Sequence, residues 1–220
     1  AREAARRAQS MNNLKQIALA LHNHHAAMAR FPESTTTEEG KPGLSWRVKI
    51  LPFIEEGALY EEFRMDEPWD SEHNKKLIAR MPMVYQSPAG MQRPGYTNYL
   101  GVAGEDGIFK GEGKGTRIAE VRDGLSNTAM VLEVDDRGAV PWTKPDDFDP
   151  ADGMRPNANL GGMWSSGMFL TAFGDGSVQS IHREVDARIL KALFTKSGGE
   201  VINIGDWDRP ARGGEAVPDD

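Results

Sequence analysis

Along the first thirty residues, apolar side chains fall at Met11, Leu14, Ala18, Leu21 and Met28, with His25 on the same stripe. Steps of three and four place them on one face of an amphipathic helix. The periodic stretch runs from about Asn12 to Met28 and stops before Phe31-Pro32. Met11, Leu14, Ala18 and Leu21 are expected to dock this helix on the rest of the protein. Its start is unusual. No Ser, Thr, Asp or Asn precedes Arg2 as a cap, and Arg2, Arg6 and Arg7 oppose the helix dipole. Such a start fits the lower part of a longer helix, its basic cluster just outside an apolar membrane span. It equally fits a frayed, solvated end.

After a polar loop, Trp46, Ile50, Phe53, Ile54 and Leu59 predict two short helical turns within Leu44 to Phe63, broken around Pro52 and Gly57. Asp70 or Ser71 can cap a helix through Arg80, which Pro82 stops. Strand patterns then take over at Met83 to Gln86, Tyr96 to Val102 and Thr128 to Val134. Two more flank Asp175-Gly176 between Met168 and Ile181, which predicts a β-hairpin on a type I′ turn. Val185 to Thr195 reads as a helix, Val201 to Ile204 as a last strand, and the tail from Arg209 as disordered. Helices come first and strands later, without βαβ alternation. The fold class is therefore α+β, a long N-terminal helix packed on an antiparallel sheet with added short helices and long loops. Residues 1–30 form the helix, 31–208 the head it belongs to, and 209–220 the tail.

The chain has 220 residues, enough for a substantial core, and a net charge of -7 that argues against nucleic acid as the main partner. The charge is uneven, basic over Ala1 to Arg30 and acidic over Glu133 to Asp152. There is no cysteine, which excludes disulfides and thiolate chemistry.

Enzyme motifs are largely missing. Gly101 to Gly115 is glycine-rich, but Lys114 is followed by Gly115 rather than Ser or Thr, so a flexible surface loop is expected instead of a phosphate loop. Ser165 and Ser166 lack the first glycine of a nucleophile elbow, because Met163 stands there. Neither catalytic residues nor a cofactor are assigned. His22 and His25 lie one helical turn apart and could share a transition metal with a carboxylate from elsewhere, although His25 on the apolar stripe also suits a core histidine. Asp146, Asp147, Asp149 and Asp152 supply hard oxygen donors suited to calcium, or else form a solvated acidic loop. Trp46, Trp69, Trp142 and Trp164 sit beside Pro, Ser or Gly, where each can peg a loop to the core or present a platform to carbohydrate.

Several blocks carry a resemblance. Asn12-Asn13-Leu14-Lys15-Gln16-Ile17-Ala18-Leu19-Ala20-Leu21-His22-Asn23, Phe31-Pro32 and Leu44-Ser45-Trp46-Arg47-Val48 come first. Asp66-Glu67-Pro68-Trp69-Asp70-Ser71, Tyr96-Thr97-Asn98-Tyr99 and Asp123-Gly124-Leu125-Ser126-Asn127-Thr128 follow in order. Val140-Pro141-Trp142-Thr143-Lys144-Pro145 and Phe173-Gly174-Asp175-Gly176-Ser177-Val178 complete the set. In these blocks the chain resembles the planctomycete family of prepilin-like proteins, whose globular part is a domain of unknown function. The resemblance implies a type IV pilin or type II secretion pseudopilin architecture, with a leader peptide, an inner-membrane helix and an outward-facing head. Its implied partners are other pilin-like subunits or the secretion and assembly machinery. Its implied location is membrane-anchored and extracytoplasmic, the periplasm or cell surface, with the present chain a soluble fragment.

Ser165 departs from the family, whose members often carry histidine at that position, so no role of that histidine carries over. Some secretion pseudopilins similar to this class bind calcium in a head loop, but the ligand positions do not match residue by residue. The expectation is a non-enzymatic pilin-like protein. An extracytoplasmic binding module for glycan or calcium is the first alternative, and a hydrolase using carboxylates or His22 and His25 the second.

Overall fold

The apolar stripe lies on helix α1, Arg2–Met28, in a computed structural model that describes residues 1–110, 113–151 and 157–202. The helix extends well upstream of Asn12, through a segment rich in Ala and Arg, both strong helix formers. Leu14, Ile17, Ala18 and Leu21 are fully buried, and Met11 is partly buried against the same cluster. Met28 is not part of the docked face. The last fully packed position is Leu21, and Met28 is 64% exposed.

Three short turns follow instead of two. Helix α2, Trp46–Lys49, is capped by Ser45, whose hydroxyl accepts the Arg47 N–H. A 3-10 turn at Leu51–Ile54 takes Pro52 into its opening, where a missing N–H costs nothing. Helix α3, Gly57–Glu62, then begins at the glycine expected to break it. The Ser71 hydroxyl accepts the Asn74 N–H at 3.0 Å, at the start of a 3-10 helix over Asn74–Arg80. Met83–Tyr85 is a 3-10 turn rather than a strand, closed by the Tyr85 N–H on the Pro82 carbonyl at 3.0 Å.

The strand pattern over Tyr96 to Val102 divides at Asn98 into β1, Tyr96–Thr97, and β2, Tyr99–Gly101. Then come β3, Ala129–Glu133; β4, Val140–Pro141; β5, Met168–Phe173; and β6, Val178–His182. β1 pairs with β4, and the main sheet runs β2-β3-β5-β6, antiparallel throughout. The α+β class follows directly from this arrangement.

β5 and β6 form the expected hairpin, but on a different turn. Phe173 and Ser177 close a three-residue loop, with the Gly176 N–H on the Phe173 carbonyl and the Phe173 N–H on the Ser177 carbonyl. Only Gly176, at φ 85°, is left-handed; Asp175 is not. This is a turn with a glycine bulge rather than the two-residue I′ turn, and Gly174 belongs to the loop.

The sheet is buried on both sides. Leu170 and Ala172 of β5 face α1, whereas Phe169 and Phe173 face a second cluster that includes Leu190, Leu193 and Phe194. Leu190 and Leu193 belong to helix α4, Ala187–Leu193, capped by Asp186. A bulge in β3 places an extra residue between Ala129 and Val131. Met130 and Val131 consequently both join the α1 side. By strict alternation from Ala129, Glu133 would face α4; the bulge turns it toward α1.

The glycine-rich segment after β2 runs at the surface, with Glu105, Lys110 and Lys114 exposed, but it is anchored to the core. Ile108 and Phe109 are buried, and the Phe109 N–H bonds the Val102 carbonyl at 2.9 Å. Val201 and Ile202 adopt no regular structure. The rest of that expected strand and the tail from Arg209 lie outside the described residues.

Candidate functional site

Two buried polar centres hold α1 and the head loops in place. The first is Glu133, 1% exposed and directed at α1. Its Oε1 accepts from the Ser10 hydroxyl at 2.6 Å and the Ser87 hydroxyl at 2.7 Å, and its Oε2 from the Trp164 indole at 2.8 Å. Since Ser10 donates to the carboxylate, the Tyr99 hydroxyl donates to Ser10 at 2.8 Å. Asn13 of α1 reaches Tyr99 and the Gln86 carbonyl. No cation pairs with Glu133 among the described residues. Burial raises its carboxyl above the usual range, against the opposing pull of its three donors.

The second centre is Arg47, wholly buried beneath the loops. Its Nε donates to the Trp142 carbonyl at 2.9 Å, and Nη2 to the Lys144 and Asp146 carbonyls at 3.0 and 2.8 Å. Nη1 reaches the Asp147 carboxylate at 3.0 Å. The same Asp147 oxygen accepts the Trp46 indole at 2.9 Å and the Gly101 N–H at 2.8 Å. Three stretches of chain, 46–47, 99–101 and 142–147, are tied to one guanidinium–carboxylate pair.

That pairing decides what the acidic loop does. Asp147 points inward to Arg47, Asp146 pairs with Lys144 at 2.6 Å on the surface, and Asp149 accepts the Ala151 N–H. Asp152 lies outside the described residues. The three described aspartates do not converge on a point. His22 contacts the Gly174 carbonyl through Nε2 at 2.8 Å, which fixes the proton on that nitrogen. His25 accepts the Ile118 N–H through Nε2 at 3.2 Å, and burial lowers its proton affinity. Both rings pack against Phe31. Among the described residues, no group of three or more His, Cys, Asp or Glu is placed to hold a metal ion.

Three of the tryptophans pin loops. Trp46 and Trp142 are fully buried and Trp164 nearly so, with indole N–H groups on Asp147, the Ile78 carbonyl and Glu133. Ser165 meets Glu3 of α1 at 2.7 Å, and Asp175 accepts both the N–H and hydroxyl of Ser177 in the hairpin turn.

The sequence signal at Arg47 and Glu133 is a charge set in a run of apolar neighbours, between Trp46 and Val48 in one case and within Ala129 to Val134 in the other. In such runs a charge is either a surface alternation or a buried structural centre, and only the tertiary fold separates the two.

The class these features define is an α+β protein in which a long helix crosses one face of an antiparallel sheet and buried ionic centres fasten it. The chain belongs to the protein family of unknown function DUF1559, whose family model matches residues 1–101 and 85–166. No curated protein and no solved structure matches the chain. Among the described residues no helix is long and apolar enough to cross a membrane.

Proposed function

We propose that this is a non-enzymatic pilin- or pseudopilin-like protein, anchored in the membrane and acting in filament assembly, secretion or display at the cell surface. One observation carries the reading. Residues 2–9 continue α1 as regular helix without a buried position, whereas Ser10 to Leu21 are fastened to the head. Held there only lightly, with Glu3 on Ser165, this end of the helix offers a surface on which subunits or a membrane can act. Arg2, Arg6 and Arg7 on that segment suit an anionic membrane surface.

The enzyme reading loses support because the buried carboxylates are consumed by structural partners. The proposal includes no cofactor and no nucleic-acid partner. Fractionating the native source and sequencing the N-terminus of the mature protein tests it. A membrane-bound product whose helix is preceded by about 20 apolar residues supports anchoring. A product released in soluble form, with an unrelated domain ahead of Ala1, defeats it.

An extracytoplasmic binding module is the second reading, favoured by a groove of about 840 Å³ between loop 103–110 and α4. Melting in calcium, in chelator and with oligosaccharides separates the two, since a ligand that binds only the folded state raises the melting temperature.

A further inference from the structure

On a chain of net charge -7, five cations meet around a pocket of about 400 Å³ at the end of α1: Arg30, Lys110, Lys114, Arg117 and Lys196. They come from three separate stretches of sequence, so adjacency along the chain does not explain the gathering. Two of them meet a carboxylate among the described residues. Glu120 pairs with Arg117 at 3.2 Å, and Asp106 with Lys196 at 3.1 Å. Arg30 gives an N–H to the Gly115 carbonyl at 3.1 Å and makes no ion pair; Lys114 makes none either among the described residues. Glu120 lies close enough to Arg30 to interact electrostatically, yet its oxygens are already taken by the Arg117 backbone and guanidinium.

The backbone that presents these cations is fixed. The Phe31 N–H bonds the Thr116 carbonyl at 2.9 Å, the Ile118 N–H bonds His25, and the Lys196 N–H bonds the Asp106 carbonyl at 2.9 Å. A Cβ on Gly115 would lie 1.8 Å from the Phe31 carbonyl oxygen, so only glycine allows the two segments to meet this closely. A concave surface on a rigid frame, where cations outnumber the carboxylate of Glu120, focuses a positive field on whatever enters it. Guanidinium and ammonium groups spaced around such a hollow are suited to a tetrahedral oxyanion.

We propose that this pocket binds an anionic phosphate or sulfate group, either as the free ion or as an ester on a small sugar. The volume falls within the range of about 300–1,000 Å³ typical of small-molecule sites. Arg30 and Lys114 supply the positive charges that face the group, with Arg117 at the side.

Calorimetric titration of the protein at low salt tests the site, with inorganic phosphate, inorganic sulfate, glucose 6-phosphate, glucose 6-sulfate and uncharged glucose as ligands. Saturable binding at one site by the charged ligands and not by glucose is expected. Tighter binding of the esters identifies a sugar-borne group, and equal binding the free ion. Lys114→Glu, at an exposed residue without ion pairs, should weaken binding by about tenfold or more. Lys15→Glu changes an exposed lysine of α1 outside the pocket and should leave binding unchanged. Absence of saturable heat with every charged ligand overturns the proposal. So does equal weakening by both variants, which would reduce the effect to the net charge of the molecule.

Discussion

At the scale of single residues the protein is held by charges kept out of water. Glu133 binds its proton more tightly in the folded state than in the unfolded chain, because burial lifts its carboxyl. Its contribution is therefore full below the ordinary glutamate range and is lost as pH rises through the folded value. Glu133→Gln keeps the shape, with the amide oxygen facing Trp164 and the amide nitrogen the two serine hydroxyls. The variant should be at least as stable as the parent at neutral pH. Its melting temperature should also change less between mildly acidic and neutral pH; identical profiles would sink this account. Glu133→Ala leaves three buried donors without an acceptor and should cost about 3 kcal/mol in chemical denaturation. Asp147→Ala strands the buried Arg47 guanidinium and should cost about 3–5 kcal/mol by the same measurement. The buried role of neither residue was legible from the sequence. A Glu or Asp looks the same in a solvated acidic run as in a core, and the partners Ser10 and Arg47 lie 123 and 100 positions away.

At the scale of elements, periodicity was the reliable guide. Leu14, Ala18 and Leu21 fall on the buried face that their spacing indicated, and Leu14→Ala should cost about 3 kcal/mol. Met28→Ala, on the same stripe but past the packed segment, should change stability by less than about 0.5 kcal/mol. The contrast between the two is the check on where docking ends. The hairpin was legible from Asp175-Gly176, but its turn type was not, because Gly174 extends the loop by one residue. Gly176 alone needs positive φ, and a Cβ there would approach His22 at 3.9 Å. Gly176→Val should thus lower stability by about 1–2 kcal/mol, read as a fall in the denaturation midpoint. The bulge in β3 left no trace in the sequence. Its apolar residues are buried on both faces, so the alternation that would have revealed a slip is absent.

At the scale of the whole molecule, the α+β class could be read from the order of elements, whereas the second core under α4 could not, since it depends on which face each strand turns outward. Amide exchange should divide α1 in two. The first two turns have no buried residue and should exchange quickly, while Asn13 to Leu21 should exchange only with global unfolding. Uniform protection along α1 would contradict a lightly held first segment. The placement of α1 also sets a timetable for the newborn chain. The helix is made first, but its bed includes β5 and β6, which end at Phe173 and His182. At ~5–20 residues per second, its apolar stripe waits roughly 10–30 s for the strands that cover it. During that interval the chain exposes a sticky helix to every neighbour, so a holding chaperone should matter more to its yield than any single contact in the finished fold.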